Sequence, residues 1–256
     1  MPASHITSLG VLLLMAIVIW GLATVKRNAG IVDIFWPLFF LAAGVVHALG
    51  TEQLTSRAYL VLGLTTLWAL RLSIYLALRA SGQPEDRRYQ AIRARNEPGF
   101  TWKSLYLVFG LQAVLAWIIS APLAGAVLAQ GRLTVFDALG AAIVTFGIAF
   151  QAIADAQLAR FKADPLNHGK VLDTGLWRYS RHPNYFAESC LWWGFYLIAC
   201  AAGAWWTLFS PVLMTILLLK ISGVALLEKD IAERRPAYRD YIRRTNAFIP
   251  APPRPS

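Results

Sequence analysis

Apolar residues in this chain gather in long charge-free runs separated by short charge-rich segments. Met1–Val25 carries no charged residue, nor does Ile34–Thr51, and Ala58–Leu78 is interrupted only by Arg71. Ser104–Gly131 and Ala138–Ala154 are uncharged, and Phe186–Leu227 holds only Glu188 and Lys220 in 42 residues. About 20 mostly apolar residues suffice for a helix to cross the hydrocarbon core. The last run is therefore read as two helices turning near Ala201–Trp205. The pattern predicts an all-α integral membrane protein of seven transmembrane helices, forming a single membrane domain over residues 1–256. No Lys or Arg precedes the first apolar stretch and no convincing cleavage site follows it, so a retained helix is expected there rather than a signal peptide.

The segments between the runs set the expected orientation. Lys26 and Arg27 lie between helices one and two; Arg79, Arg87, Arg88, Arg93, Arg95 and Lys103 lie between three and four. Arg160, Lys162, Lys170, Arg178 and Arg181 lie between five and six, and Lys229, Arg234, Arg235, Arg239, Arg243, Arg244 and Arg254 follow helix seven. Only Arg57 and Arg132 fall on the opposite side. The positive-inside rule then puts the N-terminus outside and the C-terminus in the cytoplasm, with a bacterial inner membrane as the expected location. Trp20, Trp102, Trp205 and Trp206 fall near the predicted interfaces, where indoles sit well.

Composition agrees. Hydrophobic residues make up 57% of the chain and charged residues 15%, with a mean hydropathy of +0.50. Ordinary soluble domains carry about 25% charged residues. A soluble enzyme, a disordered protein and a nucleic-acid-binding module are disfavoured together, and the net charge of +10 reads as cytoplasmic-face lysine and arginine. Cys190 and Cys200 have no metal-site spacing and are expected to be small buried side chains; no metal site is expected.

An ionisable group at membrane depth costs about 2.5–3.5 kcal/mol on insertion scales, which makes each a candidate site. Gln151 and Asp155 are four apart and share a helix face. Lys162 follows, then a loop containing Lys170. The densest polar and aromatic cluster is Leu176-Trp177-Arg178-Tyr179-Ser180-Arg181-His182-Pro183-Asn184-Tyr185-Phe186-Ala187-Glu188. Pro183 suits the first turn of a helix, where a missing N–H costs nothing, and that places Asn184 and Glu188 on one face. Plainer readings stand beside this one. Asn184 and Glu188 can serve as helix-packing contacts, Arg178, Arg181 and His182 as lipid-headgroup contacts, and Asp155 as an ion-pair partner of Arg160 or Lys162. Asp33 and Arg71 can pair with each other.

The run SRHPNYFAE followed by LWWG, with QAIADAQLARFK upstream and RRPAYRDYIRRTNAFIP near the end, resembles the steroid 5α-reductase C-terminal superfamily. It is most similar to the bacterial branch known as domain of unknown function 1295, a likeness that extends to GIVDIFW and EDRRY. The resemblance implies an NADPH site open to the cytosol in residues 132–256 and a lipophilic substrate among the helices of residues 1–131. It assigns cofactor contacts to Gln151, Asp155, Lys162, Lys170, Arg178, Tyr179, Arg181, His182, Asn184, Tyr185, Glu188, Arg234, Arg235 and Tyr241. The substrate half departs from the reductases. Asp33-Ile34-Phe35-Trp36 stands where they carry adjacent Gln and Glu, and Trp68 aligns with their third-helix Tyr, with Tyr75 two turns on.

Enone reduction needs a hydride at the β-carbon and a donor that stabilises charge building on the carbonyl oxygen. Asp33, kept protonated by burial, and Tyr75 are the candidate donors. No GxGxxG or GxxxxGK[ST] occurs, so NADPH would have to sit in a basic cavity where Arg and Lys meet its phosphates. The expected function is NADPH-dependent reduction of a lipophilic enone, in contact with membrane lipids and without nucleic acid. The alternatives are an S-adenosylmethionine-dependent lipid or isoprenylcysteine-type methyltransferase, motivated by the RHP box, and a non-catalytic lipid-binding membrane protein.

Overall fold

In a computed structural model, residues 3–221, 224 and 238–254 are described, and among them every regular element is a helix. They are α1 (Ala3–Lys26), α2 (Ile31–Leu49), α3 (Ser56–Ala80), α4 (Arg87–Asn96), α5 (Phe100–Ser104), α6 (Leu111–Ile119), α7 (Ala121–Leu128), α8 (Val135–Ala163), α9 (Pro183–Ala201), α10 (Phe209–Ile216) and α11 (Tyr238–Arg244). A π-helical turn, Leu105–Gly110, joins α5 to α6. Among the described residues, five helical stretches are long and apolar enough to cross a membrane: α1, α2, α3, Phe100–Ile119 and α8.

Two of the predicted runs come out differently. Ser104–Gly131 is not one helix. The crossing starts earlier, at Phe100, and takes in Lys103, whose ammonium is satisfied by the carbonyls of Asn96 (2.9 Å) and Pro98 (3.0 Å). It ends at Ile119 because Ser120 interrupts the chain and Pro122, which has no N–H, opens α7. The long final run divides where the sequence puts the turn, with α9 ending at Ala201 and a 3-10 turn starting at Trp205. The helical stretch Trp205–Ile221 is apolar but shorter than the five crossings. Cys190 and Cys200 are free thiols, half-buried rather than buried.

The chain forms two compact units, Met1–Asp137 with Ile198–Thr207, and Ala138–Leu197 with Leu208–Ser256. The first is built on α1, α2 and α3. Leu12, Ala16, Phe39, Phe40 and Trp68 are fully or almost fully buried there, and the Phe40 and Trp68 rings meet at 5.5 Å. Near the start of α8 the same unit buries an ion pair. Arg57 Nε and Nη2 donate to the two Asp137 carboxylate oxygens at 2.7 and 3.0 Å, and Nη2 also donates to the Arg132 carbonyl. Thr134 completes the shell, its N–H 2.7 Å and its hydroxyl 3.0 Å from the carboxylate. Only a pair this fully hydrogen-bonded offsets the desolvation of two charges.

In the second unit α8 and α9 run antiparallel in close contact, and two glycines set the distance. A Cβ on Gly147 would lie 2.8 Å from the Ala187 carbonyl oxygen, and one on Gly194 would lie 2.8 Å from that of Gly140. Neither helix can carry a larger side chain at its crossing point without moving the other. This contact positions the polar residues of both helices.

Candidate functional site

Gln151 and Asp155 sit one turn apart on α8, about 6 Å by helical rise, and Asn184 and Glu188 sit one turn apart on α9. The antiparallel register pairs them crosswise. Gln151 Nε2 donates to Glu188 Oε2 at 2.8 Å, and Asn184 Nδ2 lies 3.4 Å from Asp155 Oδ1. The result is a two-rung polar ladder between two apolar helices. Gln151, Asp155 and Glu188 are all buried, and Asn184 is half-buried. Glu188 Oε1 accepts a further bond from the Trp192 indole N–H at 3.0 Å. Trp192 was not among the sequence candidates, although its place one turn beyond Glu188, in the LWWG run, is the signal that marks it.

The segment ahead of α9 is a clamp. Trp177 donates its indole N–H to the Ala154 carbonyl at 3.0 Å, which ties the loop to α8 beside Asp155. α9 begins at Pro183, as the sequence predicts, and the His182 and Tyr185 rings stack with centroids 5.5 Å apart. Arg181 and Tyr241, both expected at the cofactor, also close the C-terminal segment onto the loop. The buried Arg181 guanidinium donates to the carbonyls of Ile242 (3.0 Å) and Thr245, and its backbone N–H donates to Asn246. Tyr241 donates its hydroxyl proton to the Trp177 carbonyl. Arg181 meets carbonyls at the end of α11 that have no helical partner there, and Tyr241 meets a carbonyl of the loop. Arg178 and Tyr179 are exposed.

Beside this clamp the loop encloses a cleft of about 260 Å³ whose lining includes Lys162, His168, Lys170, Trp177, Tyr238 and Tyr241. Lys162 and Lys170 are both exposed. The structure thus brings three of the predicted cofactor residues, Lys162, Lys170 and Tyr241, to one cavity. Four more, Gln151, Asp155, Asn184 and Glu188, form the ladder. Arg234 and Arg235 lie outside the described residues.

The two catalytic candidates of the first unit part company. Asp33 was expected to be a protonated donor or a partner of Arg71. Its carboxylate instead accepts from the Tyr89 hydroxyl at 2.6 Å and from Arg88 Nη2 at 2.8 Å. The carboxylate is thus engaged by a guanidinium and a phenol of α4 rather than by Arg71. Burial alone would weaken the charge on Arg88, but Asp33 and Asp86 outweigh it and hold the guanidinium protonated well above its ordinary range. Burial, and then the Asp33 carboxylate, keep the Tyr89 phenol protonated well above its ordinary value. Asp33 is therefore an anchor for α4, and the EDRRY run was the signal. Glu85 makes a parallel anchor, accepting from the Ala29 N–H at 2.7 Å and from Arg93 at 2.8 and 3.0 Å. Tyr75 is half-buried, with the Arg71 guanidinium 5.6 Å from its ring centre.

Comparison with known proteins adds a family without a function. The family described as "Protein of unknown function (DUF1295)" matches residues 19–245. An uncharacterized protein of Schizosaccharomyces pombe is 28% identical over 269 residues, covering 91% of this chain and 76% of its own. No solved structure matches.

Proposed function

The chain belongs to the DUF1295 family, and from its site we propose that it is a membrane reductase using NADPH to reduce a carbon–carbon double bond of a lipophilic enone. The observation that carries the proposal is the ladder. Two amides and two carboxylates meet between apolar helices, at the positions where the chain resembles the cofactor pattern of the steroid 5α-reductase superfamily. Buried polar groups of this kind are costly and are favoured where they serve a ligand.

The donor set fits such a cofactor. Lys162 and Lys170 would hold phosphates, and Trp177 and Tyr241 offer aromatic surface in the same cleft. Gln151 and Asn184 present amides, and Asp155 and Glu188 present carboxylates, to carboxamide and ribose hydroxyl groups. When bound, NADPH would supply hydride. The chain's own tasks are to orient the two reactants, to exclude water and to place a proton donor at the substrate oxygen. With Asp33 acting through α4, Tyr75 is the remaining candidate donor. In this proposal the chain crosses the membrane seven times, with the N-terminus outside and the site facing the cytoplasm. A bacterial inner membrane is the setting it assumes, although a similar protein occurs in a yeast.

The test is titration of the full chain in detergent with NADPH and, separately, with S-adenosylmethionine. NADPH binding without S-adenosylmethionine binding supports the reductase. The reverse result assigns the methyltransferase chemistry suggested by the RHP box, and binding of neither leaves a non-catalytic lipid-binding protein.

A further inference from the structure

Where α1 ends, the backbone does something that its sequence does not favour. The Asn28 N–H turns back to the Ala23 carbonyl at 3.0 Å, closing the helix with the residue between in the left-handed region. That position normally belongs to glycine, because a side chain there crowds the backbone. Here it is Arg27, at φ +52°. A strained conformation held by a charged residue directs attention to what the side chain meets.

Arg27 lines a niche of about 40 Å³ with Thr24, Arg93, Thr101 and Ser104. A water needs about 10–15 Å³ of such space, so the niche has room for several waters or one tetrahedral anion. Two cationic groups reach it. Arg93 gives Nε and Nη2 to Glu85 and lies over the Phe100 ring at 4.5 Å, so its plane is fixed and Nη1 is left without a hydrogen bond among the described residues. Arg27 is exposed and its guanidinium has no hydrogen bond or ion pair among them. Glu85, and Glu97 more weakly, offset the charge of Arg93, whereas no acidic group pairs with Arg27 among the described residues. The niche is flanked by a tryptophan pair. The Trp20 and Trp102 rings lie 5.1 Å apart, Trp20 donates to the Thr101 carbonyl at 2.8 Å, and Trp102 is 69% exposed. Paired indoles at the ends of two membrane-crossing helices mark headgroup depth.

We propose that this niche binds a phosphate group, with Arg27 and Arg93 as the ligands that grip it. Guanidinium forks match phosphate oxygens, and the hydroxyls of Thr24 and Thr101 offer further donors. The depth set by Trp20 and Trp102 favours a phosphate presented by a membrane lipid headgroup. The niche lies in the first compact unit and does not depend on the reductase proposal.

The strain at Arg27 supplies a clean test. Arg27→Gly removes the charge and places the favoured residue at a positive φ, so the fold should be as stable as the parent or more so. The full chain and this variant are compared by native mass spectrometry for retention of phosphatidylglycerol against phosphatidylcholine. Both are also titrated with inorganic phosphate. A thermal midpoint equal to or above the parent's, with phosphatidylglycerol retention reduced roughly tenfold or more, is the expected result. Loss of inorganic phosphate binding without loss of lipid retention assigns the niche to a soluble phosphate. Retention of both at parental affinity in Arg27→Gly, or binding of neither by the parent, overturns the proposal.

Discussion

In the two compact units the carboxylates described above are met by different groups. In the first, each one described above is clasped by an arginine of the same unit. Arg57 holds Asp137, Arg88 holds Asp33 and Arg93 holds Glu85, with nitrogen–oxygen distances of 2.7 to 2.8 Å. In the second, amides bridge Glu188 and Asp155 across α8 and α9, the Asn184–Asp155 contact as long as 3.4 Å, and an indole of α9 itself also donates to Glu188. Charge-assisted forks are strong and geometrically fixed. An amide bonded to a carboxylate contributes about 1.5–3 kcal/mol, and a ligand's amide or hydroxyl can replace it at little cost. Charged forks tie the elements of the first unit, whereas the rungs between α8 and α9 are amide bonds of a kind that a ligand's own amide or hydroxyl can take over.

The largest expected effect tests the first half of that contrast. Arg57→Ala leaves Asp137 charged and buried without its partner, which should cost about 3–5 kcal/mol and lower the thermal midpoint in detergent. Arg57→Met combined with Asp137→Leu should recover most of that loss, because two apolar groups leave no charge stranded. Unfolding of the double variant at the midpoint of Arg57→Ala would show that Thr134 and the Arg132 carbonyl, rather than the ion pair, hold this end.

The ladder should respond in binding before it responds in stability. Glu188→Gln and Asn184→Ala are expected to keep a folded, membrane-inserted chain and to weaken NADPH binding roughly 10- to 150-fold, the equivalent of about 1.5–3 kcal/mol. If either variant lowers the thermal midpoint as far as Arg57→Ala does, the two kinds of carboxylate are not distinct and the ladder is a structural pin.

A smaller effect sharpens the comparison from the backbone side. The Cβ of Gly194→Ala would meet the Gly140 carbonyl oxygen at 2.8 Å and the Val144 N at 2.9 Å. Backbone atoms cannot swing aside as a flexible side chain can, so α8 and α9 must separate, at about 1–3 kcal/mol. Separation should also lengthen the rungs. Midpoint and NADPH affinity are therefore expected to fall together in this variant, unlike in Glu188→Gln.

Much of this was legible in the chain, for reasons that differ by residue. The apolar runs announced the helices because charges are excluded from a membrane span. The i, i+4 spacings announced the two faces, since a helix has no other way to present residues four apart. The crosswise pairing of 151 with 188 and 155 with 184 was not legible. It depends on the register of α8 against α9, which glycines 147 and 194 fix by close approach. The partners of Asp33 were not legible for a related reason. Arg88 and Tyr89 are more than 50 positions away on α4, and the next apolar run offered Arg71 instead. Arg181 and Tyr241 are of types that suit a cofactor contact and a structural clasp alike. Only the path of the tail shows that their hydrogen bonds go to its backbone and to the loop.

The smallest expected effect concerns how α4 docks, and its sign follows from two groups outside the membrane spans. Asp86 caps α4 by accepting the Arg88 N–H at 2.9 Å, a contact type that contributes about 1 kcal/mol. Burial pushes its carboxyl up, but the hydrogen bonds and charge of Arg88 outweigh burial and hold it below the ordinary range. A depressed carboxyl contributes stability that is present above its unfolded value, near 4, and is lost as pH falls through the lower folded value. Tyr89 is displaced the other way, by burial and then by Asp33. Its contribution is full below the unfolded value, near 10, and is lost as pH rises through the higher folded one. Hydrogen-exchange protection of α4, corrected for intrinsic rates, should be level between about pH 4 and 10 and fall on either side. Tyr89→Phe should leave the acid limb in place and abolish the alkaline one, because Asp86 and Arg88 still cap the helix. A loss of protection between pH 6 and 8 would mean that a group with a near-neutral pKa, rather than these two, governs the docking of α4 onto Asp33.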